Sequence, residues 1–90
     1  SMENRIIEIT QEIQATNPSG QGELEAFRLK YISKRGLISE LFETLKTLPK
    51  EDKQRFGKPL NELKQLAEGK FAEWQDKLQS SASNATLDID

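Results

Sequence analysis

The chain has neither cysteine nor histidine among its 90 residues. Without cysteine there is no disulfide scaffold and no thiolate metal site, which suits a reducing compartment. Without histidine as well, the commonest general base, nucleophile and transition-metal ligand are all missing. Paired carboxylates could still do acid–base work, but a glutamate-rich helix surface reads first as a solvated face. No glycine-rich phosphate loop is present. The chain by itself is therefore expected to carry no catalytic residue, no metal and no cofactor. Long apolar runs are also absent: none approaches the length of a membrane span, and no signal peptide is visible. Ser1 ahead of Met2 reads as a cloning scar.

Apolar residues make up 34% of the chain and charged residues 31%. That is enough for a thin core and too little for a thick globular one. A helical hairpin or small bundle hides so little surface most economically. Three helices are expected. The first runs from about residue 3 to 15, with Ile6, Ile9 and Ile13 at helical spacing and Ile7 beside them. Asn17-Pro18-Ser19-Gly20-Gln21-Gly22 ends it in a loop. The second covers about 23–47, with Leu24, Phe27, Tyr31, Ile38, Leu41, Leu45 and Leu48 on one stripe. A break is expected near 33–36, because Gly36 costs about 1 kcal/mol in a helix interior and Ser33 could cap a restarted helix. The phase of the stripe survives that region, so the two pieces are expected to be nearly collinear.

Thr47-Leu48-Pro49 is the turn, with Glu51 and Asp52 suited to the following N-terminus. The third helix covers about 49–79 and carries Phe56, Leu60, Leu63, Ala67, Phe71, Trp74 and Leu78. Pro59 should kink it or force a restart near 57–59. Residues 80–90 begin with small polar residues and read as a linker to a further domain.

Folding the second helix against the third pairs Leu24 with Trp74, Phe27 with Phe71, Tyr31 with Ala67 and Ile38 with Leu60, and sets Leu41 near Phe56. One register satisfies both stripes, as an antiparallel coiled coil requires. Only Lys34, opposite Leu63, interrupts it, so this lysine either snorkels out or marks a local opening. The expected fold is all-α, residues 1–79 forming a long antiparallel hairpin arm of roughly 40 Å with a short additional N-terminal helix. That helix is expected to fold back beside the open end, near Leu24, Trp74 and Leu78.

Charge is unevenly spread. Between Arg28 and Lys58, nine cations face four carboxylates, a balance of +5; elsewhere four cations face eleven, a balance of −7. In a hairpin the basic half becomes the tip. A projecting cationic end suits a polyanion, although ordinary solvated helix charges produce the same pattern. The aromatic residues fall on the seam and read as core rather than as stacking platforms for bases.

The string LEAFRLKYISKRGLISELFETLKTLPKEDKQRFGKPLNELKQ resembles the N-terminal arm of the bacterial phenylalanyl-tRNA synthetase alpha chain. The pieces that carry the resemblance are RLKYISKRG, LISEL, LPKED and GKPLNELK, in that order, with TLDID at the end resembling the approach to that family's catalytic domain. Ser33 stands where the family often has glycine, and Pro59 where an aliphatic residue is usual. The resemblance implies a tRNA-binding arm without activity of its own. It implies a cytoplasmic class II parent enzyme that uses ATP and magnesium to attach phenylalanine to its tRNA, working as two alpha and two beta chains. Under that reading Lys30, Lys34, Arg35, Lys50, Lys53, Arg55 and Lys58 are the expected contacts to phosphates and riboses. The alternative is a helical protein–protein module whose seam a partner completes, and the isolated arm could self-associate through it.

Overall fold

In a computed structural model the backbone is described for residues 1–89 and the side chains for residues 1–79. The isoleucine stripe makes α1, Met2–Ala15, in which Ile6, Ile9 and Ile13 are buried while Ile7 stays exposed. The Ser1 side chain caps it by accepting the Asn4 N–H at 3.3 Å. After the loop, α2 spans Gln21–Phe27 and buries Leu24 and Phe27. Its first turn is braced by Ser19, whose backbone N–H and hydroxyl donate to the two Glu23 oxygens at 3.1 and 2.7 Å. The hydroxyl bond, more than the backbone one, holds the Glu23 pKa below its ordinary value.

The chain then widens into a π turn, Arg28–Ile32, closed by the Ser33 N–H donating to the Arg28 carbonyl at 2.8 Å. The expected break follows at residues 33–36. Here Gly36, not Ser33, stands at the N-cap of α3, Leu37–Lys46. The reason is proximity rather than dihedral freedom, since its φ of −76° is open to any residue. A Cβ at Gly36 would sit 2.9 Å from the Tyr31 carbonyl carbon and 3.0 Å from the Lys30 oxygen. The Ser33 carbonyl meanwhile accepts the Gly36 N–H at 2.8 Å and the Ser39 hydroxyl at 3.0 Å, so the turn is internally bonded.

Thr47-Leu48-Pro49 reverses the chain into α4, Lys50–Ile89. The Pro49 carbonyl accepts the N–H groups of Asp52 and Lys53, both at 3.0 Å. Pro59 lies inside α4 without interrupting it, so no restart occurs at 57–59. The proline removes the N–H that the Arg55 carbonyl would accept in an uninterrupted helix. Immediately after it Leu60 is fully buried, which offsets the local cost. Helical backbone continues past residue 80 to Ile89. The linker expected over 80–90 falls where side chains, and all of Asp90, lie outside the described residues.

The all-α arm is elongated, 59 × 21 × 18 Å along its principal axes. It differs from the expectation in where α1 lies. Glu3 pairs with Arg55 at 3.8 Å, and the Lys70 ammonium donates to the Gln14 carbonyl at 3.1 Å. α1 therefore runs parallel to α4 between these points, not beside the open end near Leu24, Trp74 and Leu78. Met2 reaches the tip-side cleft lined by Leu37, Leu41 and Leu48. The cause is the thinness of a two-helix seam. Laying α1 along it buries Ile6, Ile9 and Ile13 in one cluster with Tyr31, Ile38, Leu60, Leu63 and Ala67. Burying three isoleucines is worth roughly 5–9 kcal/mol by area, as an upper bound. Leu45, Phe56 and Phe71 pack half-buried against this cluster, and Trp74 is half-buried nearer the open end.

Candidate nucleic-acid interface

Each of the seven cations singled out from the sequence is exposed. The fold divides them into two groups rather than one patch. Lys50, Lys53, Arg55 and Lys58 occupy the first turns of α4 at the tip. Lys50 and Lys53, three apart, share a face, and the positive end of the helix dipole adds to their field. Lys30, Lys34 and Arg35 lie at the π turn and the break. Lys34 shares a cavity with Lys64, about ten residues past the middle of the tip group on α4. At 1.5 Å per residue the two groups are about 15 Å apart along the arm.

Two of the seven are held by carboxylates from α1. Lys30 pairs with Glu12 at 3.6 Å and stands 5.2 Å from the centre of the Tyr31 ring. Arg55 pairs with Glu3 at 3.8 Å and lies 5.0 Å over the Phe56 ring. Glu12 is itself positioned by the Tyr31 hydroxyl, which donates to it at 2.8 Å. Burial of the phenol raises the Tyr31 pKa, and the bond to Glu12 raises it further. The Tyr31 oxygen, ahead of the Glu12 carboxylate, pushes the Lys30 pKa up, so Lys30 is cationic at neutral pH. Among the described residues, no carboxylate lies within 4 Å of Lys34, Arg35, Lys50, Lys53 or Lys58. Two other cations of the basic half are internally paired: Arg28 with Glu25 at 2.7 Å and Lys46 with Glu43 at 3.5 Å.

Of the aromatic rings, those of Phe27 and Tyr31 belong to the core, while Phe42, Phe56 and Phe71 pack half-buried against it. Phe27 and Tyr31 are buried, with ring centres 5.0 Å apart and tilted by 53°. The Trp74 ring lies 4.7 Å beneath Lys77. Among the described residues no group of three or more acidic side chains is arranged to hold a metal ion, and no helix is long and apolar enough to cross a membrane. Sequence reasoning missed three participants: Lys64, Glu3 and Glu12. The signal for Lys64 was present, because the hairpin register that sets Lys34 opposite Leu63 also sets it beside Lys64. The roles of Glu3 and Glu12 depend on where α1 packs, which the register of the hairpin does not specify.

Residues 20–87 match the family described as "Aminoacyl tRNA synthetase class II, N-terminal domain", and the chain belongs to that family. Among individual relatives, it is 41% identical over 98% of its length to a phenylalanine–tRNA ligase alpha subunit of Pelodictyon phaeoclathratiforme. Over 80% of its length it is 47% identical to the corresponding subunit of Chloroherpeton thalassium, and over 96% it is 40% identical to that of Cytophaga hutchinsonii. The chain covers 27%, 21% and 26% of these three relatives, about a quarter of each. No solved structure matches it.

Proposed function

We propose that this chain is the tRNA-binding arm at the N-terminus of a phenylalanine–tRNA ligase alpha chain. The observation that carries the reading is the arm itself. Five cations without a carboxylate partner among the described residues project from its tip and its mid-arm break, on a chain that is acidic overall. Such a surface binds phosphates through Coulomb attraction and counterion release, and it fixes position rather than base identity. The mixed helix surface and core aromatics leave shape as the property recognised. The arm holds the body of the tRNA while phenylalanine is attached elsewhere in the enzyme, in a reaction driven by ATP with magnesium. The remaining partners follow from the same reading: a beta chain, two of each chain in the cytoplasmic assembly, and residues 80–90 leading toward the catalytic domain. Even a weak arm contributes there, because the other contacts raise its effective concentration.

The test is to delete residues 1–85 from the parent enzyme and assay two steps. Activation of phenylalanine without tRNA should survive, and charging of tRNA should be lost or slowed at least tenfold. If both steps are unchanged, the arm is not a tRNA contact and its helical surfaces belong to assembly.

A further inference from the structure

The break between the π turn and α3 leaves an opening that the coiled-coil pattern would otherwise fill. At the seam position where an apolar side chain is due, the chain has Lys34. Behind it lies a cavity of about 260 Å³ between the break, α3 and α4. Its floor is Ile32, Ile38 and Phe42, of which Ile38 is buried and the other two half-buried. Ser39 also faces it, but its hydroxyl is already donated to the Ser33 carbonyl at 3.0 Å. The floor therefore offers contact area and no free donor, while the Ser39 oxygen can still accept.

The rim has a different character. Lys34 and Lys64 stand on it from opposite elements, both exposed, with no carboxylate within 4 Å among the described residues. Of the two rim carboxylates, Glu43 is compensated by Lys46 at 3.5 Å. Glu68 remains as one acceptor. The opening thus combines an apolar floor, two ammonium groups, and the Glu68 carboxylate and Ser39 oxygen as acceptors. Its volume is below the roughly 300–1,000 Å³ of pockets that take drug-sized ligands. It suits one base with its ribose.

We infer that this opening seats a single unstacked nucleotide of the bound RNA. The base lies on Ile38 and Phe42, the phosphate bridges Lys34 and Lys64, and Glu68 accepts from a ribose hydroxyl or an exocyclic amine. Protein partners fit less well, because two ammonium groups flank an opening too small for more than one side chain. RNA loops supply such splayed nucleotides, and apolar or aromatic contact to a base is sequence-tolerant. The inference rests on the tRNA reading above and adds a second kind of contact, since phosphate pairing depends on salt and base contact does not.

That difference supplies the test. The affinity of tRNA for the parent enzyme is measured across a salt series for wild type, Phe42→Leu, the double variant Lys34→Ala with Lys64→Ala, and the tip variant Lys50→Ala with Lys53→Ala. Phe42→Leu keeps apolar volume and should weaken binding about fivefold or more with the salt slope unchanged. The Lys34/Lys64 variant should flatten the slope of log K against log salt by about 0.7, the single-strand value for the one phosphate that the two lysines bridge. Both lysines are exposed, so this variant reports even if Phe42→Leu loosens the helix pair, which its melting curve reveals. If only the tip variant weakens binding, the nucleotide site is refuted and the arm reading survives. If Phe42→Leu disturbs association with the beta chain and leaves tRNA affinity intact, the occupant is a protein segment and the inference is wrong. If neither lysine variant, at the opening or at the tip, changes affinity or slope, the arm reading fails along with it.

Discussion

The Tyr31 hydroxyl donates to the Glu12 carboxylate at 2.8 Å, joining the π turn to α1 across nineteen residues of sequence. The ring of Tyr31 is buried in the core cluster, so this bond anchors its polar end where α1 meets the hairpin. Tyr31→Phe keeps the ring and removes the bond. Because Glu12 is partly exposed, the loss should be about 1 kcal/mol, the net worth of an ordinary hydrogen bond and below the roughly 1.5–3 kcal/mol of a bond to a buried charged group. Urea unfolding followed by circular dichroism measures it. An unchanged midpoint would mean that α1 is held by its isoleucines alone.

The same tyrosine makes stability depend on alkaline pH. Burial, and then the Glu12 bond, raise its folded pKa above the unfolded value near 10. A raised acid of this kind stabilises the fold fully below the unfolded pKa and loses that contribution as pH climbs through the folded one. Lys30, also raised, loses its contribution in the same alkaline window. Wild type should therefore lose stability above about pH 10 more steeply than Tyr31→Phe. Parallel pH profiles for the two proteins would contradict this account.

Gly36→Ala tests the close approach at the break. The added methyl would meet backbone atoms of Tyr31, Lys30 and Ser33 at 2.9–3.1 Å, and backbone cannot rotate away as a side chain can. We expect a loss of about 1–3 kcal/mol, the usual range for overpacking, and at an N-cap glycine is in any case preferred to alanine. A gain in melting temperature would show that the turn relaxes freely.

Much of this was legible because the seam repeats with a helical period. Leu24, Phe27, Tyr31, Ile38, Leu60 and Leu63 stand on stripes whose single antiparallel register needs no structure to find, and all six are buried. The turn at Pro49 was legible from its own chemistry. The position of α1 was not, because three isoleucines on one face say that a helix buries them but not against which groove. The N-cap was misassigned to Ser33 for a related reason. Side-chain capping is a local signal, whereas the close approach at Gly36 arises only when the π turn closes beneath it. Among the candidate contacts, exposure followed from charge, but the internal pairing of Lys30 and Arg55 depended on α1.

Pro59→Ala should stabilise the arm. The proline sits in the tenth position of α4 and deprives the Arg55 carbonyl of its helical donor. Alanine restores the bond and is the better helix former by up to about 3 kcal/mol. Part of that gain is offset by the more flexible unfolded chain, so a rise of about 1–2 kcal/mol in unfolding free energy is expected. A fall would mean that Pro59 packs specifically against Ile6, Ile7 and Phe56, with which it lines a cleft.

The proposed RNA contact makes a prediction about the carboxylates of α1. Glu3 and Glu12 occupy Arg55 and Lys30, so any phosphate approaching either cation must displace an internal anion. The double variant Glu3→Gln with Glu12→Gln removes the competing charge. The new amide oxygen at position 12 can still accept from the Tyr31 hydroxyl, so the fold is kept. These pairs are largely exposed, so each is worth at most about 1 kcal/mol and stability should hardly move. Affinity for tRNA should instead rise severalfold at low salt. The slope of log K against log salt should steepen by up to about 1.8, because two more cations become free to neutralise phosphates at about 0.9 each. If affinity and slope stay at wild-type values, Lys30 and Arg55 do not face the RNA. Of the seven candidate cations, the contact surface then contracts to the five that have no carboxylate within 4 Å among the described residues: Lys34, Arg35, Lys50, Lys53 and Lys58.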